Sequence, residues 1–223
     1  MTVPSIDLND GTTIPQLGFG VFQVKPETTA ETVTSALEVG YRHLDTAQMY
    51  GNEEGVGQAI AESGLARDDL YVTTKLNNGH HRPDDARAAF DESLKKLGLD
   101  EIDLFLIHWP LPTQYDGDFV STWQALVELR DSGRTRSIGV SNFQPDHLDR
   151  VVSETCFSPA TNQVEVHPFF TTEASRAPNA RHGVATEAWS PIARGKVVGD
   201  PVVEEIAERV GRTASQVTLR WHV

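Results

Sequence analysis

The chain has 223 residues, 39 % of them hydrophobic, enough for the core of one large domain. A formal charge of −13 and a pI near 4.9 exclude a nucleic acid or an anionic membrane as the main partner, because either requires clustered Lys and Arg. Cys156 is the only cysteine, which excludes an intrachain disulfide and points to a reducing, cytoplasmic setting. No apolar run approaches the roughly eighteen residues of a membrane span, and MTVPSIDLND lacks the charged-then-apolar order of a signal peptide.

Ser5 to Leu8, the Asn9-Asp10-Gly11 turn and a second short extended run predict a β-hairpin that caps one end of the fold. Leu17 to Phe22 reads as a first buried strand, and Pro26-Glu27 opens a helix that runs to about Val39. Tyr41 to Thr46 is the second strand, with Asp45 near its end; Tyr50 follows, Gly51 and Asn52 read as a helix start, and that helix reaches Ala61. Leu70 to Leu76 is a third strand bearing Lys75, and Pro83-Asp84-Asp85 starts the next helix. Ile102 to His108 is almost continuously apolar, as in a parallel strand buried on both faces, and closes on a His.

A helix over Phe119 to Asp131 follows, then a strand over Arg136 to Val140 ending in Ser141-Asn142, and a short helix from Pro145 to Val152. Asn162 to Val166 carries Gln163; Val184 to Ala188 is followed by Trp189-Ser190-Pro191. Between them Thr172 to Ala180 has a helical pattern interrupted by Pro178, an interior proline that costs about 3 kcal/mol unless the helix starts later or kinks. Pro201 to Val210 and Thr213 to Trp221 are two last helices. Seven strands alternating with helices predict a parallel α/β barrel of the TIM (β/α)8 type rather than an open doubly wound sheet, and no GxGxxG follows any strand. The pattern contains no eighth strand–helix unit, so the expected architecture is a single-domain barrel incomplete at its C-terminal end, with unpaired strand edges and low stability.

Three successive strand ends thus offer Asp45, Lys75 and His108, with Tyr50 just beyond the first. Neighbouring strands lie about 4.8 Å apart, so the four side chains can converge. A Lys beside a Tyr favours the phenolate and lowers the Tyr pKa, while an Asp keeps that Lys charged; Tyr then serves as a general acid. His108 can hold a carbonyl oxygen and stabilise charge that develops on it.

The segments GYRHLDTAQMYGNE, VTTKL, LIHWP, IGVSN, NQVEVHP and AWSP resemble the aldo-keto reductase family across most of the chain, and the Trp with HWPLP resembles its bacterial diketogluconate reductase branch. The resemblance implies a catalytic tetrad of Asp45, Tyr50, Lys75 and His108 with Tyr50 as proton donor. It implies NADPH as cofactor: Ser141, Asn142 and Gln163 on the nicotinamide carboxamide, Trp189 stacked on the ring, and Ser190, Pro191, Ile192 and Ala193 along the pyrophosphate. Phe22, Met49, Asn77 and Trp109 are the implied lining of a pocket for small carbonyl substrates. The family's Lys-Ser segment and nearby Arg for the 2′-phosphate have no counterpart in this sequence.

Each residue also has a plainer reading. Asp45 can be a cap, Lys75 a surface charge, Tyr50 a packed aromatic and His108 a core His; Ser141-Asn142 can be a helix N-cap, Gln163 a barrel-layer residue and Trp189 core. His43, His80, His81, His147, His167, His182 and His222 share no metal-ligand spacing, and His80-His81 reads as a solvated loop. Glu165 and Glu187 at two strand ends raise a glycoside hydrolase as an alternative, which leaves the Asp-Tyr-Lys-His set unexplained. A non-catalytic module that keeps the fold and the tetrad but binds cofactor poorly is the other alternative. Nothing in the residues fixes the oligomeric state.

Overall fold

The computed structural model describes residues 3–223; the first two residues of the MTVPSIDLND segment lie outside the described residues. Among the described residues an N-terminal two-stranded hairpin precedes seven strands that alternate with helices, eight helices in all. The strands are β1 (Ser5–Asp7), β2 (Thr13–Pro15), β3 (Gly18–Gly20), β4 (His43–Asp45), β5 (Tyr71–Leu76), β6 (Ile102–Ile107), β7 (Thr135–Ser141), β8 (Thr161–Glu165) and β9 (Ala185–Trp189). The helices are α1 (Pro26–Glu38), α2 (Glu53–Glu62), α3 (Pro83–Leu97), α4 (Val120–Asp131), α5 (Pro145–Thr155), α6 (Glu173–Arg181), α7 (Pro201–Val210) and α8 (Ala214–His222). Strands β3 to β9 form one parallel sheet in chain order, and β1–β2 is a separate antiparallel pair. The sheet is a curled half-barrel of the TIM type, with β3 and β9 at its two ends. No described helix is long and apolar enough to cross a membrane.

Local chemistry sets these boundaries. Helices α1, α3, α5 and α7 each begin on a proline preceded by an extended residue, which suits both the fixed φ of proline and its missing N–H. Helix α3 stops at Gly98, whose left-handed φ of 66° lets its N–H reach back to Leu94 and Lys95 carbonyls. The first strand is shorter than the sequence pattern suggests: only Gly18–Gly20 pairs with β4, so Phe22 falls on the loop after it. The second shrinks to His43–Asp45, because Tyr41 and Arg42 serve the C-terminus of α1, donating to the Ala36 and Leu37 carbonyls. Helix α6 runs straight through Pro178 from Glu173 to Arg181, neither starting later nor avoiding the proline.

Side chains alternate across the sheet. Phe105 and Ile107 of β6 face the helices, where Phe105 meets Phe90 of α3 edge-on at 4.9 Å, while Leu104 and Leu106 face the barrel interior. The hairpin closes the amino-terminal end: Leu8 and Ile14 pack on Tyr71, Leu104, Leu106 and Ala160, and Thr12 Oγ1 lies 2.7 Å from Ser137 Oγ. Every residue of β5 and β6 is buried, so the middle of the sheet is a rigid platform for what stands at its carboxyl end.

Helices α2 and α3 meet through Gly57, where an added Cβ would lie 2.4 Å from the Leu97 carbonyl oxygen. In an open helix Gly→Ala gains about 1 kcal/mol, but here the obstacle is backbone and overpacking costs about 1–3 kcal/mol. Gly57→Ala is therefore expected to lower the stability read by urea unfolding; a more stable variant would show that the two helices separate freely.

Candidate active site

Parallel register brings the polar residues to one end. Gly20, Asp45 and Thr73 pair across β3, β4 and β5, and Lys75 lies one inward-facing step further along β5. Asp45 and Lys75 both point inward, and Lys75 Nζ donates to Asp45 Oδ1 at 2.5 Å and to the Thr46 carbonyl at 2.9 Å. Lys75 is 1 % exposed. Burial works against its charge, but Asp45, Tyr50 and Glu187 outweigh it and push the Lys75 pKa up, so the ammonium is retained. The other Asp45 oxygen accepts from Gln163 Nε2 at 2.8 Å, tying β4 to β8 across the interior.

Tyr50 ends a short 3₁₀ turn, Gln48–Tyr50, closed by Gly51 at a left-handed φ of 69°. Lys75 Nζ stands 5.1 Å from the centre of its ring, His108 lies edge-on at 5.7 Å and Phe22 at 5.1 Å. The four residues at three successive strand ends do converge. One expectation is corrected: Lys75 favours the Tyr50 phenolate as anticipated, but burial is the larger effect and Asp45 and Glu187 add to it, so the Tyr50 pKa rises. Burial, helped by Lys75, lowers His108 to about 4 against the opposing pull of Asp45. Its imidazole is thus neutral at pH 7, and its Nδ1 is buried without a protein partner.

The turn that carries Tyr50 is held by Asn52, expected only to start α2, and by Gln48, for which the sequence suggested no role. Asn52 is not a side-chain cap of α2; its amide turns inward, donating to the Val21 and Val24 carbonyls and accepting from Thr46 Oγ1 at 2.9 Å. Gln48 Nε2 donates to the Ala89 carbonyl and its Oε1 accepts the Asn77 N–H at 2.6 Å, fixing Asn77 beside Lys75 in sequence. The only signal for either was position, since both lie in the same short segment as Tyr50. Phe22, Met49 and Trp109 are large apolar side chains left exposed, while Asn77 is half-buried.

The second half of the site lies on β7, β8 and the segment after β9. Asn142 adopts a left-handed φ of 61°, and helix α5 is capped by Gln144 with His147, so Ser141-Asn142 is no N-cap. Asn142 Nδ2 donates to the His108 carbonyl and to Ser141 Oγ, and its Oδ1 accepts Trp189 Nε1–H at 3.0 Å. Ser141 Oγ donates to the Gln163 carbonyl at 2.8 Å. Trp189 is half-buried with its indole fixed rather than packed away, and Ser190 to Ala193 form a turn in which Ala193 N–H donates to the Ser190 carbonyl. Ser190, Ala193 and Arg194 all have φ near 50°, a concentration of strained non-glycine residues typical of ligand-binding segments. His81, read as part of a solvated loop, is instead buried and stacked on Tyr115 at 5.2 Å.

A parallel β/α half-barrel whose ionisable centre sits at the carboxyl ends of its strands is the enzyme arrangement of barrel folds. The profile of the aldo/keto reductase family matches residues 16–223. The chain is 50 % identical over 220 residues to an aldo-keto reductase of Mycolicibacterium smegmatis, covering 99 % of this chain and 79 % of that one. It is 45 % identical to methylglyoxal reductase DkgA of Escherichia coli (strain K12), covering 98 % of this chain and 78 % of the relative. The crystal structure of a Bombyx mori aldo-keto reductase in complex with NADP superposes with a TM-score of 0.91 at 40 % identity, over 99 % of this chain and 80 % of the other. The chain belongs to the aldo/keto reductase family.

Burial also governs the acid stability of this fold. His43, His81 and His108 are each lowered from 6.5 to about 4 mainly by burial. The unfolded chain binds more protons than the folded one between those values, so stability falls as pH drops through that window. Replacing His81, which lies outside the tetrad, by Phe should flatten the pH dependence of urea unfolding from pH 6.5 to 4; an unchanged slope would show that His81 protonates in the fold.

Proposed function

We propose that this chain reduces small aldehydes and ketones, sugar-derived or dicarbonyl, to alcohols with NADPH, acting as a single cytoplasmic domain. The observation that carries the reading is the buried Lys75 ammonium, 2.5 Å from Asp45 and 5.1 Å from the Tyr50 ring centre, beside a neutral His108. Similarity to a methylglyoxal reductase supports the substrate class, and the NADP-bound relative supports the cofactor.

The donor set fits a nicotinamide. Gln163 Oε1 has no protein partner among the described residues, since its Nε2 is committed to Asp45, so it is available to accept an amide N–H. The Trp189 indole is braced by Asn142 as a flat surface for an aromatic ring, and Ser141 and Asn142 lie beside it. Ser190, Pro191, Ile192 and Ala193 would run along the pyrophosphate. When bound, NADPH supplies a hydride for the carbonyl carbon.

The chain's own residues manage the proton and the charge. A raised pKa keeps Tyr50 protonated at neutral pH, so its O–H is present as the general acid for the substrate oxygen. Lys75 remains charged and offsets the phenolate left behind, with Asp45 holding it in place. A neutral His108 carries one N–H that can donate to the carbonyl oxygen and orient it. Phe22 lies 5.1 Å from the Tyr50 ring, and its exposed apolar surface with that of Met49 and Trp109, together with the amide of Asn77, would suit short carbonyl compounds.

Tyr50→Phe removes the hydroxyl that carries the transferable proton and keeps the ring. It is expected to lower kcat/KM for methylglyoxal reduction by roughly 10²–10⁴ while leaving NADPH affinity nearly unchanged. Steady-state kinetics with a parallel cofactor titration checks both halves, and substantial residual turnover would refute the role of Tyr50.

A further inference from the structure

One buried carboxylate has no part in the chemistry above. Glu187 sits on β9 in register with Gln163 of β8, on the same inward face. Its strand ends the sheet, which leaves the residue as a whole half-buried, but Oε2 is out of contact with water and has no hydrogen-bond partner. An orphaned carboxylate oxygen in the interior is costly, and its surroundings account for its presence. From β4 it is faced by Asp45, from β5 by Lys75 and Tyr71, and from the turn after β4 by Tyr50. The Gln163 amide connects the two carboxylates: it donates to Asp45 Oδ2 at 2.8 Å and favours the Glu187 anion as well. Lys75 is held by Asp45 at 2.5 Å, and Glu187 stands near that pair without a direct contact to the cation.

We propose that Glu187 is a positioning residue that sets the acidity of Tyr50: ionised, it places a second negative charge behind the Asp45–Lys75 pair and keeps the Tyr50 hydroxyl protonated to higher pH. The proposal rests on Tyr50 being the proton donor. Burial first, then repulsion from Asp45, pushes the Glu187 pKa up, with Lys75 and Gln163 opposing. The sign is fixed by the charges. A negative Glu187 raises the Tyr50 pKa, and a neutral residue in its place lets that pKa fall. Reduction needs protonated Tyr50, so its loss on the alkaline side should begin earlier without the Glu187 charge.

The test is the pH profile of kcat/KM for methylglyoxal reduction with NADPH, measured for the wild-type chain, Glu187→Gln, Glu187→Asp and Tyr50→Phe. Glu187→Gln should move the alkaline limb down by about half to one pH unit, and Glu187→Asp should restore most of the wild-type position. Coincident limbs in the wild type and Glu187→Gln, with Tyr50→Phe inactive, would overturn the role of Glu187 alone; an active Tyr50→Phe would overturn the proton-donor reading beneath it. If Glu187→Gln does not melt cooperatively, infrared difference spectra of the wild-type chain decide. Ionisation of the buried carboxyl complete below the alkaline limb supports the proposal, and a protonated-carboxyl stretch that persists through that limb overturns it.

Discussion

The contact on which the rest of the site depends is the buried ion pair between Lys75 and Asp45. Taking an ammonium and a carboxylate out of water costs several kcal/mol per ion, and removing one partner of such a pair costs about 3–5 kcal/mol. The fold meets this cost with geometry: Lys75 has the Thr46 carbonyl as well as Asp45, and Asp45 has the Gln163 amide on its second oxygen. Asp45 and Thr46 stand at the end of β4 and Gln163 on β8, so the pair fixes the ends of β4 and β5 and the middle of β8 relative to one another. Tyr50 then has only one place to stand, between that cation and the His108 ring.

The half-barrel divides its interior to suit. On the β5–β6 side, Leu104 and Leu106 meet the hairpin residues Leu8 and Ile14 in a dry plug at the amino-terminal end. On the β7–β9 side, Ser137, Ser141, Thr161, Gln163 and Glu187 line the same inward face with hydroxyls, an amide and a carboxylate. The apolar half gives the lysine its low-dielectric setting and the polar half gives the site its donors. The same burial that keeps Lys75 and Asp45 tightly coupled holds three histidines neutral and raises Tyr50.

Much of this was legible in the sequence because the signals were periodic or covalent. Proline at the first position of four helices and the uninterrupted apolar run before His108 located elements to within a few residues. The parallel order of the strands followed from their alternation with helices, and the convergence of Asp45, Tyr50, Lys75 and His108 followed from that order. What was not legible depended on contacts far apart in the chain. The direction of the Tyr50 shift is a balance between burial and three charges on three strands, which spacing cannot weigh. Asn52 starts α2 as its position suggested, but its amide is spent on the Val21 and Val24 carbonyls some thirty residues earlier, which local spacing does not reveal. His81 looked like loop until Tyr115 covered it, and α6 accepts Pro178 although propensity argues against it.

In the proposed function, the ends of β7, β8 and β9 hold a nicotinamide against the Asp45–Lys75–Tyr50 centre. The most direct measurement is an NADPH titration of the purified chain followed by tryptophan emission, with Trp189→Phe as the comparison. Saturable quenching is expected in the wild type, with a marked loss of both quenching and affinity in Trp189→Phe, because the braced indole is the proposed stacking surface. A cooperatively folded chain that shows no saturable quenching, or an undiminished response without Trp189, would contradict it.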